Sequence, residues 1–343
     1  MKQRYTELDA IRGIAVLMVV LFHYSYRYGQ IYGYSIDPVF SFQLGTYGVQ
    51  LFFIVSGFVI FLTLEKTTHA FDFVVSRFSR LYPAYWFGVA LTFALVYLFS
   101  LPGREVEIQT ALLNLTMIQK WLRVDNVDGV YWTLAIELSF YIAMYFLFIT
   151  KQLKRIEVVS IIWLSIIIAS SYLEQNNIIQ IHWVIKLLFL LDYGNLFIAG
   201  IVFYKIMHQD RLINYILLLI SLVAEYYLHG EIVFLIAGYF SVFFLFSKGY
   251  MGILSLKPLV YLGTISYSLY LIHQNIGYII IRSLETYDMI NPISIIVIPL
   301  VISIIIASLM QKYIEKPSLA LIRKKWKEGD LRGRLTKKTT WTN

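Results

Sequence analysis

Residues 11–28 read IRGIAVLMVVLFHYSYRY, an apolar segment that is long enough to cross a membrane as one helix. Two ionisable side chains, Arg12 and His23, lie within it. Eleven residues at about 100° each come within about 20° of three full turns, so a helix places both side chains on one face, roughly 16 Å apart along its axis. Ionisable groups are costly inside a membrane and usually serve a function. The segment therefore predicts a transmembrane helix that carries part of a functional site.

The whole chain has the composition of a membrane protein. Of its 343 residues, 59% are hydrophobic and only 15% are charged, a balance too apolar for a soluble domain of this size. We predict an all-α integral membrane protein, a bundle of about ten transmembrane helices. The predicted spans are 10–28, 47–64, 84–101, 132–149, 156–173, 183–206, 212–228, 231–247, 258–281 and 292–314.

Two features qualify this list of spans. The span 183–206 contains Lys186, Asp192 and Gly194, so a broken or tilted helix is expected there. Lys186 and Asp192 are six residues apart and do not share a helix face, so each is expected to find a partner on a neighbouring helix. Pro83 is suited to a helix start, so the third helix is expected to begin near it.

The basic residues indicate how the chain is oriented. With the N-terminus in the cytoplasm, 23 of the 29 lysines and arginines fall on inner segments and five on outer ones, and Lys186 lies within a span. Cytoplasmic loops are rich in such residues, so both termini are predicted to be cytoplasmic. Residues 1–317 are expected to form one membrane domain, and residues 318–343 a flexible basic cytoplasmic tail. The net charge of +8 follows from this topology and does not imply nucleic-acid binding.

The polar residues of the predicted spans form two layers. Arg12, Arg77 and Arg80 fall at the cytoplasmic end, where guanidinium groups suit phosphate oxygens; ordinary positive-inside anchoring is the alternative for each. His23 and Glu137 fall at similar depths in the outer half of their helices, and His273 in the middle to outer half of its own. Such a group is typical of an acid/base site.

Bland alternatives exist for the outer layer as well. A single intramembrane histidine is often a packed hydrogen-bonding residue, and Glu137 could form a structural pair with Lys186. Helix packing is the first interpretation of the small residues in 45–57, and room for an acyl chain beside Gly48 and Ser56 is the second. The longest connection between predicted spans is the outer one, residues 101–131.

Six motifs together resemble acyltransferase family 3, the membrane O-acyltransferases that include bacterial O-antigen and exopolysaccharide O-acetylases. The resemblance covers about residues 5–320. Its most specific element is LDAIRG followed by His23, an Arg-x10-His spacing. The motifs are LDAIRG (8–13), GVQLFFIVSGF (48–58), SRFSRLYPAYW (76–86), WTLAIELSFY (132–141), ISYSLYLIH (265–273) and YIEKP (313–317).

The resemblance implies an activity. An acyl group, usually acetyl, would pass from cytoplasmic acyl-CoA (acetyl-CoA) to a hydroxyl of an extracytoplasmic saccharide such as O-antigen, capsule or exopolysaccharide. The protein would be a multi-pass component of the bacterial cytoplasmic (inner) membrane. Its expected partners are acyl-CoA, the glycan acceptor and the lipid bilayer, without nucleic acid and without a metal.

The resemblance also implies roles for individual residues. Arg12 would contact the phosphates of coenzyme A, assisted by Arg77 and Arg80, and His23 would be the key acid/base residue. The distance from Arg12 to His23 is comparable with an extended pantetheine arm. The remaining candidates are Glu137 and His273 as further catalytic residues, Tyr267 and Tyr270 as donors to an oxyanion, and Trp132 as a surface on which a sugar stacks.

Several alternatives stay open at this point. His23 either deprotonates the sugar hydroxyl for direct attack or first carries the acyl group covalently. Many relatives have an acidic residue at the position of Gln50 and a second one at the position of Leu138. Glu137 would therefore act without an acidic residue directly after it. A secondary transporter or flippase for a sugar or lipid-linked glycan would use ten spans and intramembrane charges equally well, and it predicts no acyl transfer. A sensor or scaffold is the third class.

Overall fold

The computed structural model describes residues 5–286 and 291–329, and every regular element in these residues is helical. The α-helices of this part of the chain are α1 (Thr6–Phe22), α2 (Tyr28–Tyr32), α3 (Gly48–Glu65), α4 (Ala70–Phe99), α5 (Ile108–Asn114), α6 (Trp132–Ile149), α7 (Ile156–Gln175), α8 (Trp183–Phe189), α9 (Gly194–His208), α10 (Leu212–His229), α11 (Val233–Ser247), α12 (Lys257–Thr286), α13 (Ser294–Met310) and α14 (Lys316–Glu328).

Eight helical segments of the described residues are long and apolar enough to cross a membrane, which makes the chain a multi-pass membrane protein. They are Thr6–Tyr32, Gln43–Glu65, Ala70–Phe99, Gly129–Ile149, Gln152–Gln175, Trp183–His208, Leu212–Ser247 and Ser294–Glu328. Two differences separate these eight from the predicted ten. Leu212–Ser247 combines α10 and α11, which meet at a turn where Gly230 has a φ of +62°. α12 is long enough to cross a membrane but is more polar than these eight segments. The number of ten and the cytoplasmic position of both termini stay predictions.

The helices form two compact units. Within the described residues, unit 1 comprises residues 5–8, 50–73 and 136–256. Unit 2 comprises residues 9–49, 74–135, 257–286 and 291–329.

In unit 1, glycines bring two backbones into contact. A Cβ built on Gly57 would lie 2.0 Å from the carbonyl oxygen of Phe197, and one on Gly200 would lie 2.0 Å from that of Ile54. Only a residue without a side chain fits at either position. The packing interpretation of the small residues in 45–57 therefore holds for Gly57.

The break expected in the span 183–206 is present, because Leu190 has a φ of +53° between α8 and α9. Lys186 forms an ion pair with Glu174 on α7, at 2.7 Å, so it has the expected partner on a neighbouring helix. The prediction that Lys186 and Asp192 cannot pair was wrong. It assumed one continuous helix, whereas the break brings Asp192 Oδ1 to 3.9 Å from Lys186 Nζ.

The expected start of the third helix near Pro83 was also wrong, because α4 is one helix of 30 residues with Pro83 inside it. A proline inside a helix removes the hydrogen bond to the carbonyl four residues before it, here that of Ser79, and such prolines are tolerated in transmembrane helices. In the same turn the Tyr267 hydroxyl donates to the carbonyl oxygen of Leu81, at 3.1 Å, which attaches this part of α4 to α12. Arg77 and Arg80, which precede Pro83, are therefore part of this long helix.

In unit 2, glycines set the separation of α1 and α12. A Cβ on Gly263 would lie 1.7 Å from the carbonyl oxygen of Asp9, and one on Gly13 would lie 2.2 Å from that of Leu259. The two backbones touch, so the side chains that follow along both helices are held at a fixed separation. These side chains include His23 and His273.

We expect Gly263→Ala to lower the free energy of unfolding by about 3 kcal/mol, the upper part of the range for overpacked sites, because the added methyl meets backbone atoms that cannot rotate away. Gly238→Ala is the matched control, since a Cβ on Gly238 meets nothing within 4 Å. Thermal unfolding of the purified protein in detergent measures both. Equal melting temperatures for the two variants would contradict the close contact of α1 with α12.

The predicted boundary at residue 317 lies inside α14. The first part of the expected flexible tail is therefore helical, and its residues 330–343 lie outside the described residues.

Candidate active site

The connection 101–131 is folded around the fully buried Asn114. The Asn114 amide donates to the carbonyl oxygen of Asp125 at 2.8 Å, and its Oδ1 accepts from the backbone N–H of Val127 at 3.1 Å. Asn275 of α12 then donates its amide to the carbonyl oxygen of Val127, at 3.0 Å. These bonds fix the connection against α12.

Asp128 completes this attachment. Its carboxylate is fully buried and accepts the backbone N–H groups of Val130 and Asn275, at 3.2 and 3.1 Å. Burial raises the pKa of Asp128 to about 6, although both hydrogen bonds favour the charged form.

This pKa makes a prediction about stability. The Asp128 pKa is about 6 in the folded chain, above the ordinary value of 3.8 that applies to the unfolded one. Between these two values the folded state binds more protons, so the contribution of Asp128 to stability falls as the pH rises from about 4 to about 6 and is constant above. Asp128→Asn should lack this dependence. The test compares melting temperatures of the two proteins from pH 4 to 7; a constant difference between them would contradict the raised pKa.

The centre of the candidate site is a pair of histidines. The structure brings His23 and His273 together, with His273 Nε2 3.2 Å from His23 Nδ1. His23 Nδ1 also lies 2.8 Å from the carbonyl oxygen of Val19, and His273 Nδ1 lies 2.8 Å from that of Tyr270. Both rings are buried. The sequence placed these histidines at one level, and the structure adds that they share a hydrogen bond.

The hydrogen-bond network assigns the tautomers. A carbonyl oxygen only accepts, so the Nδ1 of each neutral ring carries its proton. His273 Nε2 is then free of a proton and accepts from His23 Nδ1–H, which it shares with Val19. Both contacts of His23 use Nδ1, so Nε2 is left as the basic nitrogen. A π-helical turn, His23–Arg27, begins at this residue, and such turns are frequent at functional sites.

His23 lines a cavity of about 360 Å³. The other polar or aromatic side chains that line it include Arg27, Arg104, Trp132 and Tyr270. The sequence analysis had proposed Trp132 and Tyr270 as substrate contacts, and the structure places both beside His23. It had not proposed Arg27 or Arg104, although both are basic residues on predicted outer segments, where such residues are rare.

A second polar cluster of unit 2 contains the arginines of α4. Arg80 forms an ion pair with Glu315, whose side chain is 1% exposed, and the hydroxyl of Ser268 donates to the same carboxylate at 2.7 Å. Glu315 lies in a second π-helical turn, Gln311–Glu315. The guanidinium carbon of Arg80 lies 6.0 Å from the centroid of the Tyr267 ring. Tyr267 thus lies beside Arg80 and is not among the residues that line the cavity, and its expected role in substrate binding stays a prediction.

Arg323 of α14 is a third arginine at the same place. It donates to Ser76 Oγ at 3.0 Å and to Ser79 Oγ at 3.3 Å, while Arg77 donates to Ser76 Oγ at 3.2 Å. Arg323 was not predicted as a site residue, because it falls in the part of the sequence that was expected to be a flexible tail. The available signal was Lys316-Pro317, a typical helix start. We call Arg77, Arg80, Arg323 and Glu315 the arginine cluster.

The arginine cluster and the histidine pair are connected by α12. On α12, Ser268 contacts Glu315 of the arginine cluster and His273 belongs to the histidine pair. The five residues of helix from Ser268 to His273 correspond to about 8 Å of rise. Arg12 lies half-buried on α1, eleven residues before His23. A molecule with an anionic head and an extended arm could contact both places at once.

Glu137 belongs to unit 1, where its Oε1 accepts hydrogen bonds from the hydroxyls of Ser56, at 3.0 Å, and Tyr141. Lys186, the alternative partner, pairs with Glu174 instead. The expected placement of Glu137 beside the histidines stays a prediction.

Within the described residues, no group of three or more His, Asp or Glu side chains is arranged to hold a metal ion.

Comparison with known proteins gives a family and two relatives. The family described as "Acyltransferase domain" matches residues 5–312. "Protein 2 in picA locus" of Rhizobium radiobacter is 36% identical over 108 residues, which are 29% of this chain and 51% of that protein. "Exopolysaccharide production protein ExoZ" of Rhizobium meliloti is 26% identical over 149 residues, which are 41% and 46% of the two chains. The chain thus spans about half the length of each relative. No solved structure matches it.

Proposed function

Since this chain belongs to the acyltransferase 3 family, we propose that it transfers an acyl group, acetyl in the simplest case, from cytoplasmic acyl-CoA to a hydroxyl of an extracytoplasmic saccharide. One observation carries the proposal: His23 lines a cavity together with two arginines, while its Nδ1 is fixed by Val19 and His273 and Nε2 is left for proton transfer. The name of the second relative refers to exopolysaccharide production, and this supports a saccharide as the acceptor. The proposed location of the protein is the bacterial cytoplasmic membrane.

The arginine cluster is the proposed site for the phosphates of the donor. Guanidinium groups bind phosphate oxygens with two parallel hydrogen bonds. Arg77 and Arg323 both donate to Ser76. Arg80 pairs with Glu315, and Arg12 on α1 is the fourth proposed contact. The pantetheine arm would then run along α1 and α12 to the cavity and present its thioester to His23.

The chemical step follows from the geometry of His23. The saccharide hydroxyl oxygen attacks the thioester carbonyl carbon, and His23 Nε2 takes the hydroxyl proton. The tetrahedral intermediate collapses, the carbon–sulfur bond breaks, and the leaving thiolate takes the proton from His23. One carbon–oxygen bond replaces one carbon–sulfur bond, and no oxidant or reductant takes part.

His273 is the proposed positioning residue in this step. By accepting from His23 Nδ1–H it holds the ring in the tautomer that leaves Nε2 basic. Glu137 is proposed to assist the proton transfer. Tyr270 donates its hydroxyl to the carbonyl oxygen of Val130, at 3.2 Å, so its ring is the part proposed to face a sugar, together with the ring of Trp132.

The test follows labelled acetyl from acetyl-CoA into envelope glycan, in membranes that contain the full chain or an empty vector. Label in the glycan only when the chain is present is the expected result. Glycan that crosses the membrane without label, together with no binding of acetyl-CoA to the purified chain, would overturn the proposal in favour of a transporter. A labelled protein trapped before glycan is added would replace direct transfer by an acyl-enzyme.

The donor site has its own test. Binding of acetyl-CoA to the purified chain should weaken about tenfold or more when Arg323 is changed to Gln, because a charge-assisted contact is lost. Arg211→Gln is the matched control, since Arg211 is an exposed arginine at the start of α10. Equal affinities in both variants would remove Arg323 from the donor site.

A further inference from the structure

The cavity beside His23 is strongly basic. Arg27 and Arg104 both line it, and the twelve residues of its wall include no aspartate or glutamate. Lys120 adds a third positive charge at its edge, with Nζ 5.2 Å from the centroid of the Trp132 ring.

Among the described residues, the hydrogen bond of Arg27 and the ring contact of Arg104 are both with neutral groups. The ion pairs found in residues 5–286 and 291–329 include neither Arg27 nor Arg104. Arg27 donates to the side-chain oxygen of Gln30, at 2.9 Å, and Arg104 lies 6.0 Å from the centroid of the Tyr278 ring. The buried Asp128 interacts electrostatically with Arg104, but its oxygens already accept two backbone N–H groups.

Membrane anchoring does not explain this concentration of charge. Five basic residues fall on the predicted outer segments: Arg27, Arg104, Lys120, Arg123 and Arg282. Three of the five are at this cavity. The positive-inside rule gives no reason for cations on the outer side, and unpaired guanidinium groups repel one another unless an anion joins them.

We infer that the cavity binds an anionic group of the acceptor, a carboxylate or phosphate held between Arg27 and Arg104, beside the hydroxyl that receives the acyl group. This inference rests on the proposed function. The anion has two possible sources of the same chemistry, an acidic sugar of the glycan or the diphosphate of a lipid-linked saccharide. In either case the two guanidinium groups select an acidic acceptor and align its hydroxyl with His23.

The test measures binding, so it does not depend on acyl transfer. The purified full chain in lipid nanodiscs is titrated with three probes that share one fluorescent disaccharide. The first contains glucuronic acid, the second has that carboxyl reduced to an alcohol, and the third is the neutral disaccharide on a polyprenyl diphosphate. At least one anionic probe is expected to bind about tenfold more tightly than the neutral one, as a charge-assisted contact requires.

Variants connect this preference to the cavity. Arg27→Gln and Arg104→Gln should each reduce it about tenfold, while Arg282→Gln, which changes an exposed arginine of α12 that does not line the cavity, should leave it unchanged. The anionic probe that loses affinity identifies the source of the anion. Equal affinity for all three probes, or a preference that survives in the Arg27→Gln/Arg104→Gln double variant, would overturn the inference.

The outcome is separate from that of the proposed function. Acyl transfer to a neutral glycan that the arginine variants leave unchanged would refute the anionic acceptor and keep the acyltransferase. Charge-dependent binding without any acyl transfer would keep the anionic ligand of the cavity and refute the acyltransferase.

Discussion

Replacing His23 with alanine should reduce acyl transfer by about 10²- to 10⁴-fold, the usual contribution of a general base. The reason is that Nε2 of this ring is the basic nitrogen in the cavity, and no other histidine among the described residues lines it. The measurement is the rate of labelled acetyl transfer in membranes with matched expression. His182→Ala is the control, because His182 is an exposed histidine at the start of α8 in unit 1.

Two further measurements separate chemistry from folding in this variant. Acetyl-CoA binding and the melting temperature of His23→Ala should stay close to those of the wild-type protein, since the proposed donor contacts lie at the arginine cluster. His273→Ala should retain part of the activity and shift its pH profile, because it removes the group that fixes the His23 tautomer. Full activity in His23→Ala would exclude this histidine as the base.

Glu315→Ala is expected to lower the free energy of unfolding by about 3 kcal/mol, the lower end of the range for breaking a buried ion pair. Its side chain is 1% exposed and that of Arg80 is 26% exposed, so the arginine loses its partner while it retains some contact with solvent. Ser268 loses its acceptor as well. Thermal unfolding of the purified protein measures the change. A melting temperature equal to that of the wild-type protein would contradict the buried ion pair.

A double variant separates the structural role of this pair from donor binding. Replacing a buried ion pair by apolar residues of similar size is often neutral for stability, so Arg80→Met/Glu315→Leu should regain most of the stability lost in Glu315→Ala. Its affinity for acetyl-CoA should nevertheless stay low, because the Arg80 guanidinium is absent. Recovery of both properties would mean that Arg80 serves the fold alone.

The sequence was sufficient for the main features of the fold and for part of the site. An apolar segment with Arg12 and His23 eleven residues apart is helical over that distance, with a π-helical turn that begins at His23. Counting depth along predicted helices also placed His23 and His273 at one level. That these rings touch depends on Gly13 and Gly263, whose lack of side chains brings α1 against α12, and a single sequence does not show which glycines face each other.

Other features depended on tertiary contacts that no local pattern encodes. Tyr267 and Tyr270 are three residues apart, about 4.5 Å of helix rise, yet Tyr267 lies beside Arg80 while Tyr270 lines the cavity. Arg323 lies in a stretch with the composition of a charged tail. Its contacts with Ser76 and Ser79 depend on the packing of α14 against α4. Asp192 reaches Lys186 because the chain breaks at Leu190.

The central claim is that this chain carries an acyl group across the membrane to a saccharide hydroxyl at His23. The most direct measurement uses the purified full chain in sealed proteoliposomes, with the acceptor oligosaccharide trapped inside and labelled acetyl-CoA supplied only outside. Label should enter the trapped acceptor with the wild-type protein and not with His23→Ala. Label that appears only when donor and acceptor share one side of the membrane would contradict the account.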